Sequence, residues 1–498
     1  MHLTVSNVDL AIVALYLAGV VLFGLWVGRR QRSVADYLLG DRNLPWWLLL
    51  LSIVATETSA VTFLSVPGTA YAGNLTFLQL AMGYVLGRYA VAALLLPHYF
   101  RGQLFSAYEV LERRFGGATK RTASAMFMAT RSLADGLRLF LSAIVLKAML
   151  FPAATTNASE PAFDSQLAIA VLVIGGTTIA YTFLGGMKAV AWTDFAQFFI
   201  YVGGALVAGV IILMRLPGGW AELARDASQQ GKLQLFDLGF DLTRPYTLWA
   251  GLAGGAFISL GSHGADQLMV QRYLSARSQR EAARALTLSG WVVLVQFACF
   301  LLLGVGLWGF FENRQFGRSD QVFVTFIVEH LPMGAVGLTL AAVLAATMST
   351  ISSSLNSLAA VASRDFYFPL IAPQATPVQS LRVTRGLTVV FGLVQIGVAV
   401  CGQYLQGPVI EAVLAIAGFT TGIVLGIFFL GVLTRRVSQP AALTALVCGL
   451  SGMTYLAFGT KLSWTWFALA GSCGTFVLGL AASVLWPQRS PPPGVAVR

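Results

Sequence analysis

Apolar runs of about twenty residues recur about thirteen times along this chain, separated by short loops, and that recurrence decides its fold class. A run of this length crosses the hydrocarbon of a bilayer as helix, because lipid offers no partner to an open backbone N–H or C=O. The runs read approximately as 7–28, 44–72, 75–97, 122–150, 167–184, 189–215, 248–271, 284–311, 333–363, 384–405, 408–433, 439–458 and 464–486. Composition agrees, with 57% hydrophobic and 11% charged residues and a mean hydropathy of +0.74. A water-facing surface over 498 residues needs far more charge. The expectation is an all-α polytopic membrane protein in a lipid bilayer, residues 1–498 forming a single transmembrane domain.

The net charge of +11 does not point to nucleic acid, because the basic residues sit in short loops between apolar runs. With the N-terminus outside, the inside loops hold 21 Lys and Arg and the outside loops 7. Positive loops stay in the cytoplasm, so the N-terminus is expected outside and the C-terminus inside. The lysine- and arginine-free segment 151–166 falls outside, in agreement. The first run ends in Arg29, Arg30 and Arg32 without a small-residue cleavage site, which favours a retained helix over a removed signal peptide. Cys299, Cys401, Cys448 and Cys473 lie inside apolar runs without metal-ligand spacing. Neither a disulfide framework, a zinc site nor a cofactor is expected.

Two runs are interrupted. Residues 44–72 carry Thr56-Glu57-Thr58-Ser59 in their middle, and 248–271 carry Gly261-Ser262-His263-Gly264-Ala265-Asp266-Gln267. Broken helices at matching places in two halves point to a transporter's central site, where unwound carbonyls replace the water shell of an ion. The plainer reading of single glycines is close helix packing. A third run, 333–363, places Ser352 and Ser353 three and four residues after Ser349, on one helix face. Such hydroxyls either glue helices together or offer hard oxygen ligands to a monovalent cation.

Ionisable side chains deep in a membrane are costly and mark function. Glu57, Asp135, Arg138, Asp194 and Glu411 qualify, with Arg88 and Arg131. Asp135 and Arg138 either neutralise each other or leave Arg138 to hold a substrate carboxylate. Asp194 serves either the site or the inner interface. His263 is either a proton carrier or an ordinary hydrogen-bonding residue.

Three stretches carry a family resemblance: Ala341 to Ser357 running on to Arg364-Asp365-Phe366-Tyr367, Tyr181 to Gln197, and Asp266 to Tyr273. In this order they resemble the sodium:solute symporter family, whose members carry sugars, proline, monocarboxylates, vitamins, iodide or sialic acid. The resemblance covers nearly the whole chain. It implies a leucine-transporter-like fold, an inverted five-helix repeat with the first copy in 44–215 and the second in 248–433. Residues 7–28 then form an extra N-terminal helix, and 439–486 two extra C-terminal ones. It implies a first sodium site from the carbonyls of Ala55, Thr58 and Ala346 with the hydroxyls of Ser349 and Thr350. A second site maps to Ser59, Asp194, Ser349, Ser352 and Ser353. Solute contacts map to Glu57, Thr62, Arg138, Ser259, Ser262 and His263. Sugar carriers of the family have a tyrosine, an asparagine and a glutamine where Ser262, Ser259 and Thr62 align, so a sugar is not supported.

The function expected is sodium-coupled symport of a small organic solute by alternating access in a bacterial inner membrane, without enzymatic chemistry. One sodium entering down about 100 mV releases about 2.3 kcal/mol, more than the roughly 1.4 kcal/mol of a tenfold solute gradient. Proton coupling through Glu57, Asp194 or His263 is the nearest alternative. A transporter-like sensor is a further one, with only a short segment after the last run to carry a signal.

Overall fold

The computed structural model describes residues 6–28, 33–102, 104–151, 163–216, 218–312, 314–317, 319, 321–405 and 409–488, without the side chains of 148, 409–412, 414 and 415. Glu411, the Arg29–Arg32 run and the tail from Arg489 fall outside what it describes. All regular elements among the described residues are helical. In chain order the long ones are α1 (Asn7–Gly28), α2 (Trp46–Glu57), α3 (Ala60–Ala72), α4 (Leu78–Leu94), α5 (Gly117–Leu150), α6 (Ser165–Arg215), α7 (Gly255–Gly264) and α8 (Gln267–Leu274). They continue as α9 (Gln279–Phe310), α10 (Ala335–Val361), α11 (Pro377–Cys401), α12 (Val409–Leu433), α13 (Gln439–Gly459) and α14 (Phe467–Leu485).

Among the described residues eight helices are long and apolar enough to cross a bilayer, and the pair α2–α3, bent by 64°, makes a ninth if it is one span. Four further elements bear on the expectation of about thirteen spans. Helix α6 has 51 residues, about 75 Å at 1.5 Å each, over twice the hydrocarbon thickness. It turns at Gly186, where φ 52 and ψ −160 leave the helical region, between the two runs read from sequence. Helix α4 has 17 residues, α5 carries several charges, and α7–α8 is itself interrupted.

Both interruptions have the same local cause. Helix α2 ends as Thr58 turns to ψ 95, and the Ser59 side chain accepts the Thr62 N–H at 3.4 Å to start α3. Helix α7 ends at Gly264, and Asp266 accepts the Leu268 N–H at 2.9 Å to start α8. A side-chain oxygen at this position stabilises a helix start by about 1 kcal/mol, so each break is encoded by its capping residue. Helix α4 packs on the start of α7 and the turn before it through small residues. A Cβ on Gly83 would lie 2.2 Å from the Gly251 carbonyl oxygen, which only glycine permits.

Helix α10 sits at the centre. The most apolar window of the span it begins is 89% buried, against 17% for α1. Its serines and threonines therefore face protein on every side, and each hydroxyl needs a partner there.

Candidate ion and solute site

The last backbone bond of α2 runs from Thr58 N to Val54 O at 3.0 Å, which leaves the carbonyls of Ala55 and Thr56 beyond the ladder. Thr350 of α10 meets them: its hydroxyl reaches the Thr56 oxygen at 2.9 Å and the Ala346 oxygen at 3.2 Å. Ala55, Thr58, Ala346 and Thr350 thus surround one break. Ser349 is turned away from it and donates to Asp194 Oδ1 at 2.6 Å.

Asp194 is fully buried, and a network forms around it that the sequence reading only partly anticipates. Its Oδ2 accepts from Ser52 at 2.5 Å, from Thr56 at 3.3 Å and from the Arg272 guanidinium at 3.1 Å. Arg272, 1% exposed, also donates to Ser52 at 3.0 Å and to the hydroxyls of Thr56 and Ser353. Arg272 was expected in a cytoplasmic loop. It lies instead within α8, inside the protein, as the counter-charge of Asp194. The expected second-site residues Asp194, Ser349 and Ser353 meet here. Ser59 instead caps α3, and the Ser352 hydroxyl reaches the Ser349 carbonyl at 3.1 Å.

A cavity of about 290 Å³ opens beside the two breaks. All six expected solute contacts, Glu57, Thr62, Arg138, Ser259, Ser262 and His263, line it, and so does Ser59. It extends past Thr69 and Phe77 to Tyr246 and Trp464, between aromatic walls. Glu57 is not an isolated carboxylate. It pairs with Arg88 of α4, which is fully buried and also donates to Ser289 at 2.7 Å. His263 stands 3.7 Å from the same carboxylate through Nε2, with its Nδ1 2.9 Å from the Tyr273 hydroxyl.

On the opposite wall Arg138 pairs with Asp135, which Arg131 also approaches at 3.7 Å; Arg131 in turn binds Asp266 at 2.5 Å. Arg138 is paired with Asp135 and also lines the cavity. Arg138 Nε and Asp135 Oδ2 have no hydrogen-bond partner. A larger groove of about 550 Å³ between α6 and α9 is apolar, lined by exposed side chains such as Leu206, Val210 and Val295, and faces lipid.

Two broken helices around a buried hydroxyl-bearing helix, with deep charges neutralised in pairs, define a secondary transporter. The sequence model of the sodium:solute symporter family matches residues 37–449, and the chain belongs to that family. It is a multi-pass membrane protein, and sodium is its coupling ion. It is 29% identical over 494 residues to a sodium/sialic acid symporter of Aliivibrio fischeri, covering 95% of this chain and 92% of that one. It is 30% identical over 469 residues to the human sodium/iodide cotransporter, covering 91% and 70%. A substrate-bound, outward-open structure of a Na+-coupled sialic acid symporter superimposes with a TM-score of 0.86 at 26% identity, covering 98% and 100% of the two chains. A complex of MhsT with L-phenylalanine shares the fold at a TM-score of 0.52 and 15% identity, covering 87% and 98%.

Proposed function

We propose that this chain imports a small solute bearing a carboxylate, together with sodium, by alternating access and without a chemical step. The observation that carries this is Arg138: it lines the cavity, and its one anion among the described residues, Asp135, is shared with Arg131. A solute carboxylate would give the guanidinium the two-point partner it is shaped for. Relatives named for iodide, sialic acid and monocarboxylates support an anionic cargo. Glu57, Thr62, Ser259, Ser262 and His263 complete the cavity wall on the other side.

The first sodium is held by the carbonyls of Ala55, Thr58 and Ala346 and the Thr350 hydroxyl, with the Ser349 hydroxyl joining them only if it leaves Asp194. The second is held by Asp194, Ser349 and Ser353 once the Arg272 guanidinium moves off Asp194 and Ser353, with Ser59 and Ser352 reaching it only if they leave the bonds they now make. The two repeats run over 44–215 and 248–433, in a bacterial inner membrane with the N-terminus outside and the C-terminus in the cytoplasm. The test is uptake of radiolabelled organic acids into proteoliposomes, driven by sodium, potassium or proton gradients. Sodium alone should drive uptake, and changing Ser349→Ala with Thr350→Ala should nearly eliminate it. Uptake that follows protons and ignores sodium overturns the ion assignment.

A further inference from the structure

A second chamber of about 40 Å³ adjoins the central cavity, and the two share Arg131, Asp266, Ala417 and Thr421 in the wall between them, of which only the first two are charged. The ion pair in this wall is made from α5 and from the break between α7 and α8. Arg131 donates to Asp266 Oδ2 through Nε at 3.2 Å and Nη2 at 2.5 Å. The small chamber lies toward the end of the bundle that carries Arg101, Arg113 and Arg114, away from the end where the cavity reaches Tyr246 and Trp464. Its floor is Tyr108, whose ring packs 5.9 Å from Phe127 and 6.2 Å from Phe428. The segment bearing Tyr108 is clasped to α8 by Gln267, which accepts the Ala107 N–H at 2.7 Å and donates to the Phe105 carbonyl at 2.9 Å.

Neither partner of the wall is committed to the other alone. Arg131 Nη1 already stands 3.7 Å from Asp135 Oδ1, and Asp266 keeps the Leu268 N–H on its other oxygen. Asp135 is held by Arg138, the residue assigned above to the solute carboxylate. Arg138, Asp135, Arg131 and Asp266 therefore form a chain of alternating charges that runs from the solute site to the barrier beneath it. Arg131 keeps a carboxylate partner when it leaves Asp266, and Asp266, 16% exposed and lining both spaces, is left to water and the Leu268 N–H instead of a dry interior.

We propose that this chain is a solute-triggered inner gate. A carboxylate that engages Arg138 draws it from Asp135; Asp135 then takes Arg131 from Asp266, and the wall between cavity and chamber parts. With Asp266 released, α8 and its Gln267 clasp are free to move off the 105–108 segment, which opens the chamber to the cytoplasm. The order in which pairs exchange makes opening follow solute binding, so sodium does not leak through an empty carrier. The proposal rests on the symport reading and on its orientation.

The test is labelling of Thr420→Cys, in the chamber wall, with a membrane-impermeant thiosulfonate, after the four native cysteines are replaced by alanine. Measured in inside-out vesicles with sodium and no solute, the parent should label slowly. Asp266→Asn retains the helix cap but loses the charge and should raise the rate about tenfold or more; Arg131→Gln should do the same. Asp135→Asn removes the alternative partner and should hold the rate at or below the parent's. Opposite signs at two acids bound to one arginine are not what general loosening of the fold produces. Unchanged labelling in both Asp266→Asn and Arg131→Gln overturns the gate, and faster labelling in Asp135→Asn overturns the relay. Labelling seen only in right-side-out vesicles faults the orientation, and because no solute is required, a failed uptake assay leaves this result standing.

Discussion

Replacing Arg272 by glutamine should make the protein's stability depend on sodium. The guanidinium lies 3.1 Å from Asp194 with both groups out of water, a Coulomb attraction of about 5 kcal/mol at an effective dielectric of 20. Part of that offsets desolvation, but removing one partner strands a buried carboxylate, which typically costs about 3–5 kcal/mol. Glutamine retains donors for Ser52 and Ser353, so the loss belongs to the charge and not to the hydroxyls. Sodium bound at Asp194, Ser349 and Ser353 would replace that charge, and at about a hundred times its dissociation constant it returns about 2.7 kcal/mol. The assay is thermal unfolding of the purified protein in detergent, in sodium and in potassium. The wild type should gain little at this locus from sodium, and Arg272→Gln should lose most of its stability in potassium and regain much of it in sodium. Equal loss in both salts would refute the reasoning, because the second ion would then have no place beside Asp194.

Glu57→Gln leaves the fully buried Arg88 without its anion, so stability should fall by roughly 3 kcal/mol, and Glu57→Gln with Arg88→Gln should recover part of it. A double-mutant cycle on thermal or denaturant unfolding measures the coupling, and strictly additive effects would mean the pair does not hold. At the N-terminal end of α10, Asp9 of α1 accepts the N–H groups of Gly334 at 2.9 Å and Gly337 at 2.7 Å, a cap supplied by another helix. Asp9→Ala should cost about 1–2 kcal/mol and Asp9→Asn much less, with equal losses in the two variants arguing against capping.

Most of the fold was legible because lipid enforces it: a backbone crossing hydrocarbon has to be helix, and helix has to be long and apolar. The breaks were legible too, since Thr58-Ser59 and Ala265-Asp266 place capping side chains inside apolar runs. What local pattern withheld was pairing. Arg272 is followed closely by Arg277, Arg280 and Arg284, so on local sequence it belongs to a cytoplasmic cluster. Its true partner is 78 residues away, and nothing in either segment names the other. Ser59 and Ser352 were assigned to an ion by alignment, yet the orientation of a hydroxyl depends on which acceptor packing brings near.

A neutrality argument would have recovered Arg272. Low dielectric penalises net charge, so deep acids and bases should balance. With Glu411 set aside, its side chain lying outside the described residues, Glu57, Asp135 and Asp194 balance Arg88, Arg131 and Arg138, but Asp266, at the second break, then has no counter-charge. One more base is required within reach of the breaks, and α8 offers Arg272. The completed set pairs fully: Glu57 with Arg88, Asp194 with Arg272, and Asp135 and Asp266 with Arg131 and Arg138. With no cargo, then, the four acids and four bases around the site already sum to zero. A sodium held by neutral carbonyls and hydroxyls adds one positive charge, and a neutral solute leaves it uncompensated. A carboxylate entering with that sodium restores the balance, and with the second sodium at Asp194 it leaves one positive charge where a neutral solute would leave two, which is the electrostatic reason to expect an acid as the cargo.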